Sequence, residues 1–302
     1  MSEEDRPLQQ LAEIEEHLQH HPDEVEFLLR KGAILRKLER DEEALTVYES
    51  LLFHNFALVP AYYGLSHALM KLGRQLEALP IVVMGLVLDP QFTENWLVLG
   101  YIFEDLHRYS NALESFHTVI TQETTNGKGW FHLGYVLSKM RQYPEAIKAF
   151  EQSIALHAPQ VGSAWANIST IYELLGDHDQ AVVAAQNGYE AQPLDPFARL
   201  VYADTLVDMG KFAEAKVLYV ALVQEDPTNV MFLANYGILL SKMHRWEESR
   251  DMLTQALAMN KPTEPEYQEY AGIISGNLAR AYFAMGDFAQ SLLACSNKLD
   301  TN

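Results

Sequence analysis

His17 and His21 stand four residues apart, with His20 between them, in the stretch EDRPLQQLAEIEEHLQHHP (4–22). Two imidazoles at i and i+4 of a helix share a face and can share a metal ion. A metal centre also needs further ligands and outer partners that orient them. The neighbours here are Glu15 and Glu16, so the pair reads as a solvated polar face. No other constellation suggests a reaction. There is no Gly-rich phosphate loop, no H-E-x-x-H and no G-x-S-x-G. The single cysteine, Cys295, excludes zinc-type cysteine pairs and an internal disulfide. The carboxylates fall in turns and on helix faces, where solvated charge is their usual role. The expectation is a binding protein, not an enzyme, with no metal and no cofactor.

A second stretch, GWFHLGYVLSKM (129–140), raises a different question. A helix with one apolar stripe would use Trp130, Leu133, Gly134 and Leu137. That leaves Phe131, His132 and Tyr135 for a second surface, facing either a neighbouring segment or a partner.

The chain as a whole narrows the partner. Its net charge of −19 opposes binding to nucleic acid or to anionic lipid. Apolar residues make up 48% of the 302 positions, enough for a folded, soluble chain. The longest apolar run, ALPIVVMGLVL (78–88), is too short to span a bilayer, so no membrane insertion is expected. The opening MSEEDRPLQQ lacks the basic-then-apolar pattern of a secretory signal. With one cysteine, a reducing cytoplasm is the expected compartment.

The elements that would carry these residues repeat. Ala44, Ala78, Ala112 and Ala146 are 34 residues apart; Ala181 follows after 35, then Ala215 and Ser249 after 34 each, and Ser291 after 42. Sixteen residues before this anchor come Leu28, Tyr62, Trp96, Trp130 and Trp165. Twelve before it come small residues, among them Gly32, Ser66, Gly100, Gly134, Ser169 and Gly237. Four after it come Tyr48, Phe116, Phe150 and Tyr219, and near twelve after it Pro90, Pro193 and Pro227. Small residues let two helices approach closely, and the aromatics fill the seam beside them. Polar turns such as LGRQ, LHRY, MRQY and MGKF separate the two helices of each unit.

This W-x-x-L-G…A…F…P pattern at a 34-residue period resembles the tetratricopeptide repeat family, over about residues 25–302. The resemblance implies an all-α, right-handed superhelical solenoid of helix-turn-helix units. Seven units would open at Val25, Val59, Thr93, Gly127, Gly162, Pro196 and Val230, with an imperfect eighth from about Gly272. Residues 1–24, with Leu8, Leu11, Ile14 and Leu18 on one face, would be an N-terminal capping helix. The departures are Phe56 and Thr124 at the closing-proline place, Arg199 at the early-aromatic place, and Ser249 and Ser291 at the anchor; they are expected to weaken single units. Eight extra residues in NKPTEPEYQEYAG (260–272) read as a short loop, then a helix from about Glu264.

The resemblance also implies where a partner binds: first-helix residues turned away from the seam line a concave groove. These are Tyr63 and His67, then Leu97, Val98 and Tyr101, then Lys128, Phe131, His132 and Tyr135. The pairs Leu97–Tyr101 and Phe131–Tyr135 are four apart and share a stripe, forming an apolar and aromatic strip for a partner or for packing between units. Asn167, Asn235 and Asn277 share an equivalent place, where amides can bond an extended peptide. The Lys, Asn and Arg set with which some family members grip a C-terminal carboxylate is missing: the matching places hold Leu29, Ala33, Gly64, Glu94 and Val98. Arg30, Arg36, Lys37 and Lys71 gather at the N-terminal mouth, and Glu104, Asp105, Glu173, Asp204 and Asp208 follow.

The expected function is a scaffold or adaptor that binds a protein or peptide segment, apolar at its centre with a basic flank. The alternatives are a chaperone for secreted or assembling subunits and a self-assembling structural scaffold. The last helix, with Leu292, Leu293 and Leu299, is a candidate for pairing copies into a homo-oligomer.

Overall fold

Each unit is built from two short helices whose ends are marked in the sequence. The computed structural model describes residues 5–259 and 265–299. Among these it contains α-helices and no strand. After α1 (Asp5–His20), first helices α2 (Val25–Lys37), α4 (Val59–Lys71), α6 (Thr93–Asp105) and α8 (Gly127–Lys139) alternate with second helices α3 (Asp41–His54), α5 (Gln75–Leu88), α7 (Tyr109–Gln122) and α9 (Tyr143–Ala155). These form one compact unit, residues 1–159. In the other, residues 160–302, the first helices are α10 (Val161–Leu175), α12 (Pro196–Asp208), α14 (Val230–Lys242) and α16 (Pro265–Ala284). Its second helices are α11 (His178–Ala191), α13 (Phe212–Glu225), α15 (Trp246–Met259) and α17 (Phe288–Leu299).

The helix starts follow the period read from the sequence, with α10 opening one residue ahead of Gly162. The final pair departs from it. The helix α16 begins at Pro265, ahead of Gly272, and runs 20 residues where α14 runs 13, so most of the insertion lengthens this helix. The helix expected from about Glu264 begins at Pro265, and the short loop expected before it lies outside the described residues.

The turn inside each pair has one backbone geometry. Glu39, Gly73, His107, Arg141, Gly176, Gly210, His244 and Gly286 all have positive φ, and each occupies the same place in its unit. This left-handed residue ends the first helix, as a C′ residue commonly does. Only some are glycine, so the others hold a conformation that costs a side chain about 1 kcal/mol or more.

The seam is packed as the spacing implies. Tyr48, Phe116, Phe150 and Tyr219 are buried. A Cβ on Gly100 would come within 2.5 Å of the Phe116 ring, so only glycine admits the ring there. Ser249, at the anchor, donates to the Gly237 carbonyl at 2.7 Å, and Ser291 donates to that of Ala279 at 2.9 Å. The serines expected to weaken their units therefore have satisfied hydroxyls across the seam.

The early-aromatic place also has a polar task. Trp96 Nε1 donates to the Pro90 carbonyl at 2.8 Å, Trp130 Nε1 to that of Thr124 at 2.9 Å, and the Tyr62 hydroxyl to that of Phe56 at 2.8 Å. Each ring ties down the loop that enters its own helix. Arg199 keeps this function: buried, it donates to the Leu194 carbonyl at 3.2 Å and forks onto Glu225 at 2.7 Å through both terminal nitrogens.

Within the N-terminal unit, α2 touches α4 and α4 touches α6. In the C-terminal unit, α10, α12, α14 and α16 make the corresponding contacts. First helices thus form one layer of each unit and second helices the other.

Candidate functional site

On the first-helix face of the N-terminal unit lies an open recess of about 400 Å³, lined by His67, Met70 and Lys71 of α4, Tyr101, Glu104 and Asp105 of α6, and His132 of α8. A turn each of α4 and α6 contributes, with His132 alone from α8. His132 Nδ1 lies 3.0 Å from Glu104 Oε2, and its ring meets Tyr101 edge-on with centroids 4.5 Å apart. The Tyr101 ring also leans on Phe116, at 5.7 Å, so the seam holds the recess wall in place.

Charge is divided across the recess, with Lys71 on one side and Glu104 and Asp105 on the other. Burial, reinforced by the cations of Arg36 and Lys71, pushes His67 down to about 3, so it is neutral at ordinary pH. Its Nδ1 is buried without a hydrogen-bond partner. Burial and the neighbouring Glu104 raise the Tyr101 phenol, which stays protonated. The surface therefore offers the Tyr101 ring and the neutral His67 imidazole beside the Lys71 cation and a carboxylate pair.

The structure brings His67, Tyr101 and His132 together and separates the rest of the expected strip. Val98 is 0% exposed and belongs to the core. Phe131 is buried with its ring edge on Phe150 at 5.6 Å. Both pack between helices and present nothing to a partner, which corrects the expected groove lining. Tyr63 lies under the Arg36 guanidinium at 4.9 Å, and Tyr135 under the Lys139 ammonium at 5.2 Å. Leu97 is half-buried and Lys128 is exposed. Met70 was not legible as a lining residue; it stands one turn beyond His67 on the same face, the one available signal.

The asparagines are engaged locally. Asn167 and Asn277 each donate to a carbonyl one turn earlier, those of Ser163 and Ile273, at 2.8 and 2.9 Å. Asn235 donates to both oxygens of Asp204 at 3.1 Å. Asp204 also accepts from the Tyr219 hydroxyl. This cluster lies in the C-terminal unit, in a recess of about 300 Å³ with Asp208 and Lys242 at its edge. Burial and the nearby Asp208 push the Asp204 carboxyl up to about 6, against the stabilising bonds from Tyr219 and Asn235.

His17 is bonded to Glu24 at 2.6 Å, and its ring stacks on Phe27 at 3.7 Å. Among the described residues no group of three or more His, Cys, Asp or Glu is placed to hold a metal ion. Among them, too, no helix is long and apolar enough to cross a membrane.

Stacked helix pairs with a lined first-helix face define an all-α repeat protein of the interaction-scaffold class. The comparisons give the family. Residues 131–197 and 206–272 match two family models, each described as tetratricopeptide repeat. These two stretches of the chain are tetratricopeptide repeats. No curated protein matches the sequence. Among solved structures, the chain is similar to one in the APC/C hetero-tetramer Cut9-Hcn1, with a TM-score of 0.70 and 17% identity over 91% of this chain and 52% of that one. The chain thus spans about half the length of that relative. It is similar to a tetratricopeptide repeat protein from Parabacteroides merdae, with a TM-score of 0.64 and 15% identity over 83% of this chain and 98% of that one. It is also similar to pilF of Pseudomonas aeruginosa, with a TM-score of 0.58 and 18% identity over 70% and 96% of the two chains. These likenesses show the fold.

Proposed function

We propose that the chain is an adaptor whose N-terminal unit binds a segment of another protein on its first-helix face, at the recess between α4, α6 and α8. The observation that carries this reading is the lining itself: His67, Met70, Tyr101 and His132 form a floor of two imidazoles, a phenol ring and a thioether, with Glu104 and Asp105 on one rim. Rings and a methionine beside a few placed polar groups suit a recognition site. The chemistry favours an aromatic or aliphatic side chain on the floor and a Lys or Arg that reaches the acidic rim. The net charge of −19 would speed the approach of a basic segment, and added salt would slow it. A chaperone would share this site but accept many clients of the same pattern. The expected home is the cytoplasm.

A displayed peptide library selected on the full chain tests the reading. The expected consensus places an apolar or aromatic residue next to Lys or Arg, and Tyr101→Arg lowers the affinity of the winning peptide about tenfold or more. An acidic consensus, or binding untouched by that change in a chain that melts normally, would overturn it.

A further inference from the structure

The C-terminal ends of the first helices line one edge of the N-terminal unit, and the sign of charge changes once along it. Arg36 on α2, Met70 on α4 and Glu104 on α6 stand eight residues before their anchors, and Lys37, Lys71 and Asp105 stand seven before. Two cations therefore end α2, one ends α4 and two carboxylates end α6. The chain has 41 acidic and 22 basic side chains, so counter-ions are plentiful. The nearby arginines each have one: Arg30 bonds Glu26 and Arg40 bonds Glu43, both at 2.6 Å, and Arg74 bonds Glu77 at 2.7 Å. Among the described residues, Arg36, Lys37 and Lys71 form no ion pair. Half-buried Arg36 rests on a phenol instead. Its guanidinium lies over the Tyr63 ring at 4.9 Å, and Nη2 donates to the Tyr63 hydroxyl at 3.4 Å. Its Nε is buried without a partner. Burial raises the carboxyl of Asp41 against the fields of Arg36 and Lys71, and Asp41 bonds to neither. The same two cations, joined by Lys128 of α8, reinforce the burial that keeps His67 neutral, and the His67 ring stands 6.0 Å from that of Tyr63. Neutral rings thus fix the Arg36 guanidinium without neutralising it, which leaves its charge for an anion from outside the chain.

We propose that Arg36 and Lys71 form a carboxylate subsite for an Asp or Glu of the segment that binds in the recess. This rests on the adaptor reading and adds a second charge to it. The segment sets its basic residue over α6, its apolar or aromatic residue on the floor, and its acidic residue over α2 and α4. Arg36 offers the carboxylate a planar fork, and Lys71 a point charge beside it. The two opposite charges also fix the direction of the segment across the helices, since reversal would set like charges together. Packed helices stand about 8–10 Å apart and an extended chain covers about 3.3 Å per residue, so one or two helix steps separate the two charged residues by about three to six positions.

Selections from one displayed peptide library on the full chain, on Lys71→Glu and on Arg36→Gln test this, with the thermal melt of each variant recorded. The consensus on the unaltered chain should hold Asp or Glu about three to six positions from its Lys or Arg. Lys71 is exposed, so Lys71→Glu should melt normally. It should turn the acidic position to Lys or Arg while the rest of the consensus stays, and should bind the original peptide about tenfold more weakly. Arg36→Gln should erase the acidic preference. A consensus with the basic and apolar residues but no acidic position overturns the subsite and leaves the recess reading in place. So does an acidic position that persists unchanged on both variants. A selected peptide indifferent to Tyr101→Arg removes the recess reading, and the subsite with it.

Discussion

Tyr101 and Asp204 occupy the same place in their units, eleven residues before the anchors Ala112 and Ala215. In each case the residue fourteen before the next anchor, His132 or Asn235, reaches back to it. The scaffold supplies one slot twice and the two units fill it with opposite chemistry. In the N-terminal unit it holds an aromatic ring and an imidazole, with a carboxylate at the rim. In the C-terminal unit it holds a carboxylate withdrawn from water and bonded by neutral donors. Packing fixes which positions converge, and the residues placed there decide whether the slot presents rings or a carboxylate.

Several variants would break or sharpen this contrast. The largest effect is expected at Tyr219→Phe, which removes a donor from the half-buried Asp204 carboxylate and should cost about 1.5 to 3 kcal/mol in denaturant unfolding. Tyr101→Phe, in the matched slot, should cost less than about 0.5 kcal/mol. Equal losses would remove the distinction.

Acid should act on the two recesses in opposite directions. Folded His67 stays neutral down to about pH 3, whereas the unfolded chain takes up that proton near 6.5. The unfolded state therefore binds more protons in this window, and lowering the pH from 7 to 5 costs about 2 kcal/mol through His67. Folded Asp204 takes its proton near 6, above the ordinary 3.8, so the folded state binds more protons there. The same acidification gains about 1 kcal/mol through Asp204. Difference melts at pH 7 and 5 for His67→Gln and Asp204→Asn should each lose one of these opposing terms. Two changes of the same sign would contradict the assignment.

The smallest effect concerns the turns. In this turn the N-terminal unit has Glu39, His107 and Arg141 beside one glycine, Gly73, while the C-terminal unit has Gly176, Gly210 and Gly286 beside His244. His107→Gly should stabilise by about 0.5 to 1 kcal/mol and Gly210→Ala should destabilise by about 1 kcal/mol. Calorimetric melts would read both, and a neutral Gly210→Ala would show that the turn tolerates a Cβ.

Much of the architecture was legible because a repeat writes its packing along the chain. The anchor alanine, the small residue twelve before it and the aromatic four after it announce a seam without any three-dimensional information. Contacts between units were harder to read. Val98 and His132 hold the same place, yet one is sealed in the core and the other lines the recess, because the side chains facing them differ. Arg199 looked like a defect until Glu225 and the Leu194 carbonyl were seen around it. The apolar run of α5 was visible as composition, but only burial shows that half of it faces outward.

Asp105 and Asp208 hold one further matched place, seven residues before their anchors, and both are exposed on the rims of the two recesses. The most direct test is to titrate the peptide selected on the full chain against Asp105→Lys and Asp208→Lys. If the N-terminal recess is the partner site, Asp105→Lys weakens binding about tenfold or more while Asp208→Lys leaves it within about twofold. Weakening by Asp208→Lys with Asp105→Lys unaffected would place the site in the C-terminal unit and contradict the account.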